Sequence, residues 1–366
     1  MTYRFDEIAI NSTAKKKPVE SDKFHYVGLE HIDSGSFEIT RWGSDVAPVG
    51  EKLIMQKGDV LFGKRRAYQR KVAIAPFDGI FSAHGMVLRP KEDVICKEFF
   101  PFFLSSNQFM DTAIRISVGG LSPTINWKDL QKQEFELPSI EEQRVLADKL
   151  WAAYELKEAY KKMIAATDEM VKSQFIEMFE GDKYPSVKLS DIASEWLKGQ
   201  SFRKDDIVDN GNSMCIHYGE LFTKYGPIIN QVLSRTNVEG KRTSKVGDIL
   251  FPASDVTPNG LARCSMLPYD NIILGGDIIV LRPKRDCNAA YLSYAINQQT
   301  AQLLIRVNGA VVKHMSAKAL MTVVIPMPPL EEQNRFVSLA QQADKSKFEL
   351  RQAIDKIDKV MKSLLK

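Results

Sequence analysis

No apolar run in this chain approaches the roughly 20 residues a helix needs to cross a bilayer, and Met1–Ile10 holds no signal-peptide core. No membrane partner is expected, and the chain is expected to work in the cytoplasm. Cysteine is scarce. Cys96, Cys215, Cys264 and Cys287 are the only four, and they lack the close pairs of a zinc site and the density of a secreted disulfide scaffold. They read as buried free thiols. The five histidines, His25, His31, His84, His217 and His314, form no close pair, so no metal is expected. Charge of either sign is not in large excess: the net value is +4, which permits a nucleic-acid partner without requiring one.

Catalytic signatures are also missing. No Gly-rich loop runs into Lys-Ser/Thr to cradle phosphates, and no helicase signature is found. Pro328-Pro329 is preceded by Met327 and followed by Leu330, so it fails as the Asn/Asp-Pro-Pro-aromatic loop of an amino-methyltransferase. Glu155-Leu156-Lys157 matches the end of a nuclease Glu-x-Lys motif, but it falls inside a long helical stretch and reads as an exposed helix face. No catalytic residue is assigned.

What the chain does have is a second copy of itself. Pro138-Ser139-Ile140-Glu141-Glu142-Gln143 returns as Pro328-Pro329-Leu330-Glu331-Glu332-Gln333, 190 residues later. Gly58-Asp59-Val60-Leu61-Phe62 returns as Gly247-Asp248-Ile249-Leu250-Phe251, and Leu88-Arg89-Pro90-Lys91 as Leu281-Arg282-Pro283-Lys284. A unit this long is a duplicated domain and not a solenoid repeat. At 366 residues, two domains with connecting structure is also the division that core size favours.

Each copy reads as strands and turns, then a short helical region, then one long helix. Leu53–Phe62, Lys71–Ala75 and Gly85–Leu88 read as strands. Phe99–Ile116 and Ala289–Val307 read as helical. Domains are placed at 1–138 and 183–328, with long helices over 139–182 and 329–366.

In the last helix Phe336, Leu339, Ala343, Ser346, Leu350, Ala353, Ile357, Val360 and Leu364 recur at alternating spacings of 3 and 4, which predicts a coiled-coil seam. The equivalent seam in the first helix is weaker: Leu146, Lys149, Ala153, Leu156, Tyr160, Met163, Thr167, Met170 and Gln174. Either the two helices pack on each other as an antiparallel pair with pseudo-two-fold symmetry, or each packs only on its own domain. The narrow seam favours the pair.

Two α+β domains alternating with two long helices, each opened by a Pro-rich turn and Glu-Glu-Gln, resemble the specificity subunit of type I restriction-modification systems. The resemblance covers nearly the whole chain, from Phe5-Asp6-Glu7-Ile8-Ala9 and its echo Leu189-Ser190-Asp191-Ile192-Ala193 to the C-terminus. It implies a non-catalytic reader of double-stranded DNA in which two target-recognition domains each take one half of a split sequence. It implies helices that set the gap and dock two methyltransferase subunits, with S-adenosylmethionine bound by those partners. Endonuclease/translocase subunits can join such assemblies. A standalone restriction or modification enzyme and a duplicated protein-binding scaffold are the alternatives.

Candidate DNA contacts follow from charge and loop position. Lys64, Arg65, Arg66, Arg70 and Lys71 surround Tyr68 and Gln69 at the tip of a predicted hairpin. Clustered cations neutralise phosphates, Arg can fork onto guanine, and Gln can bind adenine. The equivalent second-copy loop is polar, with Ser254, Asp255, Thr257, Asn259 and Arg263; Asp can accept from cytosine and Asn can read adenine. A turn with its side chains in water is the competing reading. Phosphate grip there is assigned to Arg235, Lys241, Arg242 and Lys245, with Arg203 and Lys204 weaker. The loops Gly119–Asn126 and Gly309–Ser316, the latter carrying Lys313, suit either backbone approach to DNA or helix capping by Asn126 and Ser316.

Overall fold

The computed structural model describes residues 1–181 and 183–366; Asp182, the last residue of the expected first helical segment, lies outside the described residues. The chain divides into two compact units, Met1–Lys162 with Leu350–Lys366, and Met163–Glu349.

In the first unit, strands Ala9–Ser12, Met86–Pro90, Val60–Phe62 and Val72–Ile74 form one antiparallel sheet in that order. Alternation sorts its side chains. Val60, Phe62, Val72, Met86 and Leu88 pack toward the short helices, and Leu61, Ala73 and Val87 face the second sheet. That second sheet is ordered Lys15–Lys16, Lys52–Met55, Gly79–Phe81, Tyr26–Val27, its last pairing parallel. The predicted strand Leu53–Phe62 is thus two strands in two sheets. Gly58, at φ 89, turns the chain between them in a region glycine enters freely.

The second unit repeats the plan. Ala193–Lys198, Ile278–Pro283, Asp248–Pro252 and Ser265–Leu267 form its larger antiparallel sheet. Ile249, Phe251, Ile279 and Leu281 face the helical core, while Leu250, Leu267, Ile278 and Val280 face the smaller cluster. Ser213–Ile216 pairs in parallel with Ile273–Leu274, as Tyr26–Val27 does with Gly79–Phe81.

The repeated motifs turn out to be two ends of one ion pair. Arg89 forks onto Asp59 (Nε–Oδ1 2.6 Å, Nη2–Oδ2 2.9 Å), and Arg282 forks onto Asp248 at 2.8 and 2.9 Å. Each carboxylate also accepts the backbone N–H three residues before it, at Gln56 or Lys245, which fixes the Gly-Asp turn. A bidentate pair on a buried carboxylate holds two strands in register where a point charge would not.

The short helical regions are each split. Ser106 adopts extended geometry between helices Phe100–Ser105 and Asn107–Arg115, and its hydroxyl accepts from Phe109 N–H as the second helix's cap. Gln299 separates Ala289–Gln298 from Thr300–Leu304. Neither breaker is a Pro or Gly, so the apolar periodicity runs through unmarked.

The long helices run Ile140–Phe179 and Leu330–Leu364, 40 and 35 residues, or about 60 and 50 Å at ~1.5 Å per residue. Within each unit their segments lie antiparallel. In the first unit, Lys157 pairs with Asp358 at 2.7 Å, and Met361, Leu364 and Leu365 join Leu146, Leu150, Trp151 and Tyr154 against the core. In the second unit, Lys347 pairs with Asp168 at 2.5 Å, and Phe175 and Phe179 pack edge-on to Phe336 at 5.4 and 5.6 Å. Lys157 and Lys347, and Asp168 and Asp358, are repeat equivalents, so one clamp is written twice.

The seam needs a correction. Its members at seven-residue steps, Phe336, Ala343, Leu350, Ile357 and Leu364 in one helix and Leu146, Ala153 and Tyr160 in the other, sit on the packed side. The alternates are displaced by one residue: Ala340, Lys347 and Met361 turn inward, while Leu339 lies at the edge and Val360 is 55% exposed; Ala353 and Ile354 are both half-buried. Likewise Leu156, Met163 and Met170 are exposed, and Leu150, Lys157, Ile164 and Val171 lie inward. The cause is the buried lysine. Lys347 carries its charge inside by meeting both Asp168 and Asp344, a solution that an apolar periodicity cannot register.

Candidate nucleic-acid interface

The basic segment is a hairpin tip, as its antiparallel flanks Val60–Phe62 and Val72–Ile74 require. Arg66 and Arg70 both hold left-handed backbone, φ 55 and 50, around the single turn Ala67–Gln69. Non-glycine residues are rare there, and neighbours over-determine the geometry. Arg66 N–H donates to Pro123 O (2.7 Å), Ile125 N–H to Lys64 O (3.0 Å) and Arg65 N–H to His84 O (3.1 Å). Three loops, 63–71, 82–85 and 117–126, therefore meet at Arg65.

The charges in this cluster do different work. Arg70 is committed to Asn107 (2.7 Å) and Asp111 (2.9 Å), and Lys71 to the Leu29 carbonyl (2.6 Å). Lys64, Arg65 and Arg66 form no ion pair among the described residues; Arg65 lies 3.3 Å from His84 Nε2, and Arg66 donates to Ser122 Oγ at 3.1 Å. Tyr68 is exposed and Gln69 half-buried beside them. Burial, then Arg65, Lys64 and Lys52, hold the His84 imidazole below its ordinary pKa; burial and Lys15 do the same to Lys64. The smaller, cationic part of these shifts is the part a polyanion would relieve.

The second unit builds the same scaffold with other side chains. Ala253 N–H donates to Asp277 O (2.8 Å), and Met315 N–H to Ala253 O (2.9 Å). Ser254 pairs with His314, as Arg65 does with Thr124. Position by position, Arg65 and His84 become Ser254 and Asp277, whose side chains bond at 2.9 Å. A basic pair in one unit is thus a hydroxyl–carboxylate pair in the other, on equivalent loops whose bond onto Asp277 comes from Ala253, one residue before the equivalent of Arg65.

Around it, Asp255 accepts from Val256 N–H and Thr257 Oγ1, both at 2.7 Å, and Thr257 caps the turn Pro258–Leu261 on which Asn259 is exposed. Lys313 donates to the Gly309 and Ala310 carbonyls (2.7 and 3.0 Å). Lys241, Arg242 and Lys245 are exposed; the Gln200 amide oxygen accepts from the Lys241 and Arg242 N–H groups, and the Arg242 guanidinium reaches Lys198 O (2.7 Å). Arg235 is half-buried, its Nε on Gly211 O at 2.7 Å. Arg203 and Lys204 are exposed.

Arg263 is a correction: it turns inward, donating to the Phe222 and Tyr225 carbonyls at 3.2 Å each, with its Nε buried and unpartnered. Orphan carbonyls at the end of the short helix Glu220–Thr223 draw the guanidinium in. Of the two expected caps, the Ser316 hydroxyl accepts from Ala319 N–H (3.2 Å); the Asn126 side chain makes no cap bond and donates to Asp129 instead.

Sequence reasoning missed the glutamines of the two Glu-Glu-Gln turns. Gln143 accepts from Cys96 N–H (2.8 Å) and donates to Val94 O (3.1 Å) and Pro138 O (2.9 Å). Gln333 accepts from Asn288 N–H (2.9 Å) and donates to Pro328 O (2.8 Å). Each staples the start of a long helix to the segment that enters the short helices. Their recurrence was the signal available; a polar side chain among glutamates looks solvated in sequence.

Known proteins are similar to this chain. The profile described as "Type I restriction modification DNA specificity domain" matches residues 7–165 and 182–359. The Escherichia coli type I restriction enzyme EcoDI specificity subunit is 24% identical over 49% of this chain and 41% of its own length. A putative type I restriction enzyme MjaX specificity subunit of Methanocaldococcus jannaschii is 22% identical over 98% of this chain and 89% of its own. Among solved structures, the type I restriction-modification S subunit from M. genitalium superposes with TM-score 0.60 at 12% identity, over 100% of this chain and 94% of that one. A chain from work on complex assembly and conformational transition of the type I R-M system gives 0.56 at 19%, over 100% and 96%.

Proposed function

Because this chain belongs to the type I restriction-modification DNA specificity family, we propose that it reads one half of a bipartite DNA target with each of its two units. The single observation that carries this reading is the matched loop scaffold with exchanged chemistry. Arg65 and His84 offer donors suited to guanine O6 and N7, and Ser254 and Asp277 offer an acceptor suited to an exocyclic amine. One backbone plan with two side-chain sets is what reading two different half-sites needs.

Lys64 and Arg66 supply phosphate grip in the first unit, and Lys241, Arg242 and Lys245 in the second. The chain itself performs no chemistry in this reading. Two methyltransferase subunits, carrying S-adenosylmethionine, dock along the paired helices, and endonuclease/translocase subunits join them. A standalone enzyme or a protein scaffold is disfavoured by the family match across both copies.

The test replaces Arg65 with Ser and His84 with Asp in the assembled methyltransferase. Base preference is expected to change in one half-site only, with the other half and the gap unaltered. Unchanged preference in both halves overturns the assignment.

A further inference from the structure

We infer that the hairpin tips at Leu121 and Val311 are apolar wedges that enter the DNA between base pairs beside each half-site. This rests on the DNA-reading function proposed above and adds a mode of contact to it. Leu121 is 96% exposed and Val311 is 84% exposed, each the most exposed large apolar side chain of its unit among the described residues. They are equivalent positions in the duplication, 190 residues apart.

A lone exposed leucine needs no explanation. Two at one repeated position, on tips built to present them, do. Each tip is closed by a reciprocal backbone pair: Val118 with Thr124 at 3.0 and 2.9 Å, and Asn308 with His314 at 3.0 and 2.7 Å. Each opens on a glycine with left-handed backbone, Gly119 at φ 114 and Gly309 at φ 104, and a Cβ on Gly309 would meet Val312 O at 2.1 Å. The second turn is therefore tight, and both keep a left-handed glycine two residues before the exposed apolar side chain.

The surroundings name the occupant. Arg66 binds the first tip through Pro123 O and Ser122 Oγ (2.7 and 3.1 Å), and Lys313 spans the base of the second. An apolar apex with a cation at its shoulder matches a base step flanked by phosphates. Proteins that insert apolar side chains there unstack the step and bend the duplex. An apolar protein surface would gain nothing from the cation.

The experiment uses the full chain assembled with its methyltransferase subunits and the target duplex identified by adenine-methylation mapping. 2-Aminopurine is placed in turn at each step flanking a half-site, away from the adenines to be methylated, because those are extruded for chemistry. Binding is expected to raise fluorescence severalfold at one step per half-site. Leu121→Ser should abolish the rise on one side and Val311→Ser on the other, each weakening affinity about tenfold.

A bound duplex with no rise at any step overturns the wedge while leaving the reading intact. So does a rise that survives both substitutions. Failure of the intact assembly to bind any duplex would sink the reading itself. If circular dichroism shows Leu121→Ser folded yet it no longer assembles with the methyltransferase, the tip is a protein contact and the wedge is refuted.

Discussion

Replacing Gln333 with alanine tests whether the repeated Glu-Glu-Gln turn is a staple or a solvated helix start. Gln333 is 2% exposed and bonds Asn288 N–H at 2.9 Å and Pro328 O at 2.8 Å, with Met327 Sδ at 3.3 Å. Two hydrogen bonds at ~1 kcal/mol each, with their partners left dry, put the loss at about 2–3 kcal/mol. At a urea dependence of ~2 kcal/mol per molar, the midpoint should fall by about 1–1.5 M. Denaturation followed by circular dichroism reads this directly. Gln143→Ala should do the same to the first unit, since it loses three bonds to Cys96, Val94 and Pro138. Exposed Glu331→Ala is the control, expected within ~0.5 kcal/mol of the parent. A Gln333→Ala midpoint no lower than the control's would refute the reasoning.

Three other outcomes follow from the geometry. Removing Lys64 and Arg66 together should flatten the plot of log affinity against log salt by ~0.9 per lost phosphate contact, measured by anisotropy titration at several salt concentrations. Asp358→Lys, facing Lys157, should cost about 1–2 kcal/mol, and adding Lys157→Asp should restore most of it; a double-mutant cycle with no coupling would deny that the clamp sets the helix register. His31, His84 and His217 are all held below the ordinary histidine range, chiefly by burial. The unfolded chain then takes up protons first, so stability should be full above pH ~6.5 and fall as the pH drops below it, as urea midpoints across pH 5–8 would show.

The duplication, the α+β units and the antiparallel helices were legible because each leaves a pattern in residue type: motif recurrence, strand-length apolar runs, and a seven-residue period. What escaped depends on partners distant in the chain. Lys347 looks solvent-facing until Asp168, 179 residues away, is beside it. Arg263 looks like a DNA contact until the Phe222 and Tyr225 carbonyls claim it. Ser106 breaks a helix that apolar spacing carries straight through, because its hydroxyl caps the next turn. In the candidate interface the loops could be named, and the basic character of 64–71 was plain. The exchange of Arg65 and His84 for Ser254 and Asp277 was not, since it compares residues joined only by backbone bonds between separate loops.

Mapping of methylated adenines in cells carrying this chain with its methyltransferase partner tests the account most directly, before and after exchanging residues 183–328 for those of a relative. The account predicts a split motif with an invariant gap, and an exchange that rewrites one side alone. A continuous motif, or an exchange that alters both sides, would contradict it.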